Sequence, residues 1–321
     1  MKPFIYILFL CSFTRAQAQS FTPAELKDFR LRQDSLKKLA FKIVNDENAA
    51  VRFRSDSAFT KIMVRALLRK NSFQFPFDSL KNISRLYSQD SVFRIFTWQV
   101  VKDDSYCRQR GFIQMKTKDG SLKLFPLRDV SEFTSYPVDT IANHLGWIGA
   151  VYYRILIKEY EGKKMYTLFG YDENNTRTTR KWMDVLSFDD NGAPLFGLRN
   201  VFSYAKDSIP KPSVNRFLLE YKKDARARVQ YDEEMDMIVY DHLVSESNEP
   251  QKKYTLIPDG DYEGFQWKNG QWLHIDKVFD FKLKDGEAPV PVPFIEDKLT
   301  APKQDTKKPV APVKKKPGGD E

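Results

Sequence analysis

Three histidines, two cysteines and a few carboxylate and amide clusters are the groups in this sequence that could do chemistry. The histidines are His144, His242 and His274. A zinc site would want ligands spaced as H-x-x-x-H or grouped Cys and His, and no such spacing occurs. His242 follows Asp241, and His274 stands two residues before Asp276. On neighbouring strands these could meet as an Asp/His pair working as an acid–base couple, or hold a metal together with a carboxylate. The plainer reading is a strand histidine that faces solvent or hydrogen-bonds within the core. The spacing itself argues for no metal and no cofactor.

Two further stretches carry candidate binding groups. Asp172, Asn174 and Thr176 present alternating oxygens in the polar loop Asp172–Thr178, a faint likeness to a calcium loop. The EF-hand glycine and closing glutamate are missing, and Asp172, Asn174 and Asn175 are also ordinary turn formers. In Asp259–Trp272, Phe265 and Trp267 fall on one strand face, and Trp272 and His274 on one face of the return strand. Facing outward, they would form an aromatic platform for a sugar ring or a peptide; facing inward, they are core, the commoner fate of strand aromatics. The candidate binding set is therefore Asp172, Asn174, Asn175, Asp241, His242, Trp267, Trp272 and His274, with no catalytic residue assigned. Cys107 opens a strand without a local histidine to activate it, so an inert buried thiol is expected. No G-x-S-x-G elbow, P-loop or dinucleotide-binding glycine motif is present.

The elements that must position these groups read as α+β. Thr22-Pro23-Ala24-Glu25 is a capping box with proline at the first helical position. After it, Leu26, Phe29, Gln33, Leu36, Ala40 and Ile43 recur at three- and four-residue spacing, which predicts a helix over 22–44. A second helix is predicted over 55–70 on the stripe Phe59, Ile62, Met63, Ala66 and Leu67, and a short third one from Asp78. From about residue 90 to 280 the pattern changes to strands rich in β-branched and aromatic residues. Asp119-Gly120, Glu161-Gly162, Lys223-Asp224 and Asn269-Gly270 mark tight turns between them. Roughly ten to twelve mainly antiparallel strands follow from this punctuation, arranged as a meander, sandwich or open barrel.

Both ends read differently. Lys2, the apolar run Phe4–Phe13 and Ala16-Gln17-Ala18 form an export signal over residues 1–18. Its removal takes Cys11 and leaves Cys107 alone, so no intramolecular disulfide is expected. Residues 288–321 hold seven prolines interleaved with lysines and read as a disordered tail. The organisation is thus signal 1–18, helical segment 19–87, β-rich domain 88–287 and tail 288–321. The formal charge is +9 over 321 residues, but it is unevenly spread: +6 over 19–72, −1 over 73–287 and +2 in the tail. A neutral β body is not a nucleic-acid-binding surface. A basic helix lying on a membrane surface is an alternative for residues 22–44, although Glu25, Asp28 and Asp34 interrupt its polar face.

Tyr166-Thr167-Leu168-Phe169-Gly170-Tyr171-Asp172, Asn174-Asn175, Asp184–Phe188 and Gly192–Gly197 together resemble a pattern in uncharacterised exported proteins of Bacteroidota. Arg228–Asp232, Ile238–Leu243 and Asp259–Trp272 fit the same pattern, so the resemblance covers about residues 90–280. It implies a periplasmic or secreted location and brings no activity or catalytic residue with it. The expected function is a non-enzymatic envelope interaction or ligand-binding module, with envelope proteins or glycans as partners. The alternative is a periplasmic hydrolase using Asp241, His242 and His274.

Overall fold

The computed structural model describes residues 21–209 and 211–279; the export signal and the tail read from the sequence lie outside them. Two helices lead the fold. α1 runs Pro23–Asn45 behind the capping box, with Glu25 N–H on Thr22 Oγ1 at 3.3 Å. α2 runs Ala49–Leu67, starting six residues before the sequence expectation, because Asn48 caps it through Oδ1 on Ala50 N–H at 2.9 Å. The expected helix at Asp78 does not form. Residues 75–83 are turns and irregular backbone that still bury Phe77, Leu80 and Ile83. No helix among the described residues is long and apolar enough to cross a membrane.

Fifteen strands follow in the described residues. β1 (Ser84–Tyr87), β2 (Phe93–Asp103), β3 (Tyr106–Met115) and β4 (Lys123–Leu127) form an antiparallel meander, the first sheet. The second sheet has β5 (Ala142–Asn143), β6 (Val151–Tyr160), β7 (Lys163–Asp172), β8 (Thr178–Phe188) and β9 (Pro194–Phe196), with β11 (Phe217–Lys222) also paired to β8. The third has β10 (Phe202–Ser203), β12 (Val229–Asp232), β13 (Met237–Ser245), β14 (Leu256–Lys268) and β15 (Gln271–Ile275).

Burial patterns show how the layers stack. On β2, Phe96, Trp98 and Val100 share a core with Phe29, Phe59 and Met63 of the helices. The alternate residues Phe93 and Ile95 share another core with Tyr166, Leu168, Trp182 and Leu186 of the second sheet. The opposite face of that sheet, through Phe169, Met183, Val185 and Phe217, meets Ile238, Tyr240, Phe265 and Trp272 of the third. The order is helices, then three sheets, with three cores between four layers. Strands of the middle sheet are covered on both faces, so their apolar residues run together instead of alternating. The helices and the sheets form one compact unit, with α1 and α2 packed on β2 of the first sheet.

Turn chemistry sets several registers. Asn269 and Gly270 take φ of 49° and 79°, the paired positive angles of a two-residue hairpin between β14 and β15. Lys223-Asp224 does not make the expected hairpin. β11 before it pairs with β8, and β12 after it pairs with β13, so the chain crosses there from the second sheet to the third.

Candidate functional site

The first two sheets part company where their shared face stops being apolar. Along β3, Ile113 and Met115 are in the inter-sheet core, but Gln109 and Cys107 continue the same alternation toward the strand's start. Across from them the second sheet ends in Asp172 of β7 and begins β8 at Thr178 and Arg180. A cleft of about 490 Å³ opens there, also lined by the segment after β4 that carries Arg128, Asp129 and the exposed Phe133.

Its floor is built on Gln109, which is 3 % exposed. Gln109 Nε2 donates to Asp172 Oδ1 at 2.8 Å, and its main-chain N–H donates to Asp129 Oδ2 at 3.3 Å. Asp129 Oδ1 accepts from Ser131 N–H at 3.0 Å and from Gly149 N–H at 3.2 Å, which fixes the wall. Gly149 must be glycine, since a Cβ there would lie 2.3 Å from Gln109 Cβ. Gln109 Oε1 is buried and has no hydrogen-bond partner. An orphaned buried acceptor costs about 1–3 kcal/mol.

Asp172, 6 % exposed, accepts from Asn174 N–H at 3.0 Å as well. Burial pushes its carboxyl above the usual carboxylate range, against the opposing pull of the Asn174 amide and of Gln109. Cys107 Sγ lies 3.6 Å from the same Asp172 oxygen, and burial together with that negative charge pushes the thiol up to about 12. It is therefore no thiolate nucleophile at neutral pH. The other two loop candidates are braces. Asn174 Nδ2 donates to Thr178 Oγ1 at 2.6 Å, and Asn175 Oδ1 accepts from Arg177 and Thr178 N–H at 2.8 and 3.0 Å. Arg180 is held by Glu220 at 3.0 Å.

A prediction follows for the buried acid. Its folded-state pKa sits above its unfolded one, so the folded protein binds more protons between the two, and stability falls as pH rises through that window. Asp172→Asn is expected to raise Tm at pH 7 by a few degrees, and the gap to the wild type should close as pH falls toward 4. Calorimetric scans across pH check this; a variant less stable than the wild type at pH 7 would refute it.

The histidines gather elsewhere, and the cleft lining contains none of Asp241, His242, Trp267, Trp272 or His274. His242 lies on β13 opposite a bulge of β14: between the pairs Asp241–Tyr262 and Leu243–Pro258 it alone faces Asp259, Gly260 and Asp261. Its Nδ1 is 2.8 Å from Asp259 Oδ2, and its Nε2 is 3.9 Å from Glu263 Oε1. His274 on β15 is buried, with Nε2 2.7 Å from Tyr240 Oη and 3.5 Å from Glu263 Oε2. The two rings thus lean on one carboxylate from the strands flanking β14. Burial alone would lower the His274 pKa, but hydrogen bonds to Glu263 and Asp207 outweigh it and hold the pKa above the ordinary value. Asp241 does not join either ring; it accepts from Arg228 N–H at 2.6 Å. His144 is remote from both sites in role, with Nδ1 2.7 Å from Pro126 O.

The outward aromatic platform is not formed. Phe265 and Trp272 are fully buried, Trp272 Nε1 donates to Thr167 Oγ1 at 3.0 Å, and half-buried Trp267 packs edge-on against Trp272 at 5.1 Å. This face fills the core between the second and third sheets. Sequence reasoning missed Gln109, Asp129 and Asp207. Glutamine carries no titratable signal, and Asp129 and Asp207 lie in irregular segments that reach their partners across sheets. Glu263 was within a stretch already singled out, and its two-residue offset from Phe265 was the available signal.

Comparison with known proteins finds no matching protein family, no matching curated protein and no matching solved structure.

Proposed function

We propose that this chain is an exported, non-enzymatic binding module of the bacterial envelope whose cleft takes a hydroxyl-bearing ligand such as an envelope glycan. The observation that carries the reading is Gln109 Oε1, a buried acceptor without a partner in the cleft beside Asp172. A sugar hydroxyl is both donor and acceptor. It can supply the missing donor to Gln109, while Arg128 of the cleft lining supplies donors to its other oxygens. The exposed ring of Phe133 offers an apolar face at the rim. The export signal and the likeness to exported Bacteroidota proteins support the location. The hydrolase alternative has less support, because Asp241 is engaged by the Arg228 backbone amide and joins neither histidine ring.

The test is a panel of neutral and acidic oligosaccharides and peptidoglycan fragments titrated calorimetrically into the folded chain. Saturable binding is expected for at least one, weakened about tenfold or more by Gln109→Leu, which removes the acceptor while keeping an apolar group of similar size. Binding unaffected by Gln109→Leu would overturn the assignment of the cleft, as would no binding by any member.

A further inference from the structure

His274 stands among three carboxylates, more negative charge than one imidazole can balance. Its Nδ1 is 2.9 Å from Asp207 Oδ1 and 3.3 Å from Asp276 Oδ1, while Glu263 lies on the Nε2 side at 3.5 Å. The donor atoms of Asp207, His274 and Asp276 all lie within 4.8 Å of one another. Donors bound to one transition-metal ion at roughly 2.0–2.2 Å are themselves spaced about 2.9–3.5 Å apart, and the two separations from His274 Nδ1, 2.9 and 3.3 Å, fall in that range.

A second observation points the same way. The Asp207 side chain is 3 % exposed, and its Oδ2 is buried without a hydrogen-bond partner, although its Oδ1 is on the imidazole. A buried carboxylate oxygen left unpaired beside a histidine is a donor lacking a cation. The far side of the ring is also arranged as metal-binding histidines require. Nε2 meets Tyr240 Oη at 2.7 Å and the Glu263 carboxylate, which would take its N–H and leave Nδ1 free as the ligand atom. Tyr204 packs on the ring at 4.9 Å, and Phe265 at 5.2 Å. Asp276, 52 % exposed, leaves the remaining direction open to water.

We propose that Asp207, His274 Nδ1 and Asp276 form a binding site for one borderline divalent transition-metal ion, Zn²⁺ in the first instance, with solvent completing its shell. The mixed carboxylate and imidazole donors suit such an ion better than Ca²⁺ or Mg²⁺, which take oxygen ligands. The site stands apart from the cleft reading and does not depend on it. Asp207 lies 67 residues before His274, so the sequence showed only the His274–Asp276 part of the set.

The experiment is calorimetric titration of Zn²⁺ into chelator-treated full chain, with Co²⁺ absorption as a second readout of imidazole and carboxylate ligation. One equivalent of Zn²⁺ is expected to bind, with a chelator-reversible rise in Tm, and tenfold excess Mg²⁺ should not displace it. Asp276→Asn, at an exposed position that leaves the fold intact, should weaken binding tenfold or more, and Asp207→Asn likewise. His242→Ala should change the affinity less than twofold. No stoichiometric binding would overturn the proposal. So would undiminished affinity in Asp276→Asn, or loss of the site in His242→Ala, which would place the ion on the surface pair His242–Asp259.

Discussion

Arg216→Met is expected to destabilise the protein by about 3–5 kcal/mol, the cost of leaving a buried charge without its partner. The Arg216 side chain is wholly buried, and its Nη1 lies 3.1 Å from Asp184 Oδ2, itself 3 % exposed. Burial raises the Asp184 carboxyl pKa, and the Arg216 charge is the main force opposing that rise. The guanidinium also donates to Phe196 O at 2.9 Å and Thr140 O at 3.3 Å, tying β9 and the segment before β5 to the centre of the second sheet. The Asp184 Oδ1 and Arg216 Nη1 atoms lack aligned hydrogen bonds, so the pair holds by charge more than by geometry. For that reason the double variant Arg216→Met with Asp184→Leu should recover much of the loss. Chemical denaturation of the wild type, both single variants and the double variant measures it. A single-variant loss under about 1 kcal/mol would contradict the account.

The second large effect is expected at Arg94, a guanidinium with no carboxylate beside it among the described residues. It is fully buried, and burial lowers its pKa to about 10, so it remains charged at neutral pH. It donates to Ser72 O at 2.8 Å, Phe75 O at 2.7 Å, Gln114 Oε1 at 2.8 Å and Tyr87 Oη at 2.7 Å. The rings of Phe77 and Phe96 stand 5.3 and 5.0 Å from its carbon centre. The charge is thus met by dipoles and ring faces. This cluster holds the segment 72–77, a 3₁₀ turn (Ser72–Gln74) followed by irregular backbone in which Phe77 takes a φ of 51°, against the first sheet. Arg94→Leu strands several buried acceptors at about 1–3 kcal/mol each, so a loss of about 4 kcal/mol or more is expected. Arg94→Lys should recover part of it, since an ammonium cannot span the same fork of acceptors. Equal stability of the leucine variant and the wild type would show that the segment is held by its aromatic packing alone.

Local signals in the sequence carried much of this architecture. The capping box at Thr22 and the hairpin at Asn269-Gly270 are each decided by a few neighbouring residues, and both appear as read. The α+β class follows from the same periodicities. Where distant pairing decides, the reading failed. The Lys223-Asp224 turn has the look of a hairpin, but β8 captures one flanking strand and β13 the other. The candidate site was harder still. β3 begins at Tyr106, so Cys107 opens a strand as read, but its first residues are polar and break the apolar alternation that marks a buried face. Cys107 and Gln109 are those residues, and they line the cleft. The loop oxygens at Asp172 and Asn174 were visible as turn formers, yet what Asp172 does is set by Gln109, 63 positions away. Trp272 was legible as core, the commoner fate of a strand aromatic, and its contact with Thr167 of the second sheet places it there.

The most direct test of the cleft is the side-chain amide of Gln109 observed by NMR with ¹⁵N labelling, its resonance assigned through Gln109→Leu. As a binding oligosaccharide is added, that amide should shift in a saturable way together with the backbone amides of Asn174 and Ser131, while the indole of Trp272 stays unmoved. Shifts confined to residues around His242 and Asp259, with Gln109 silent, would contradict the account.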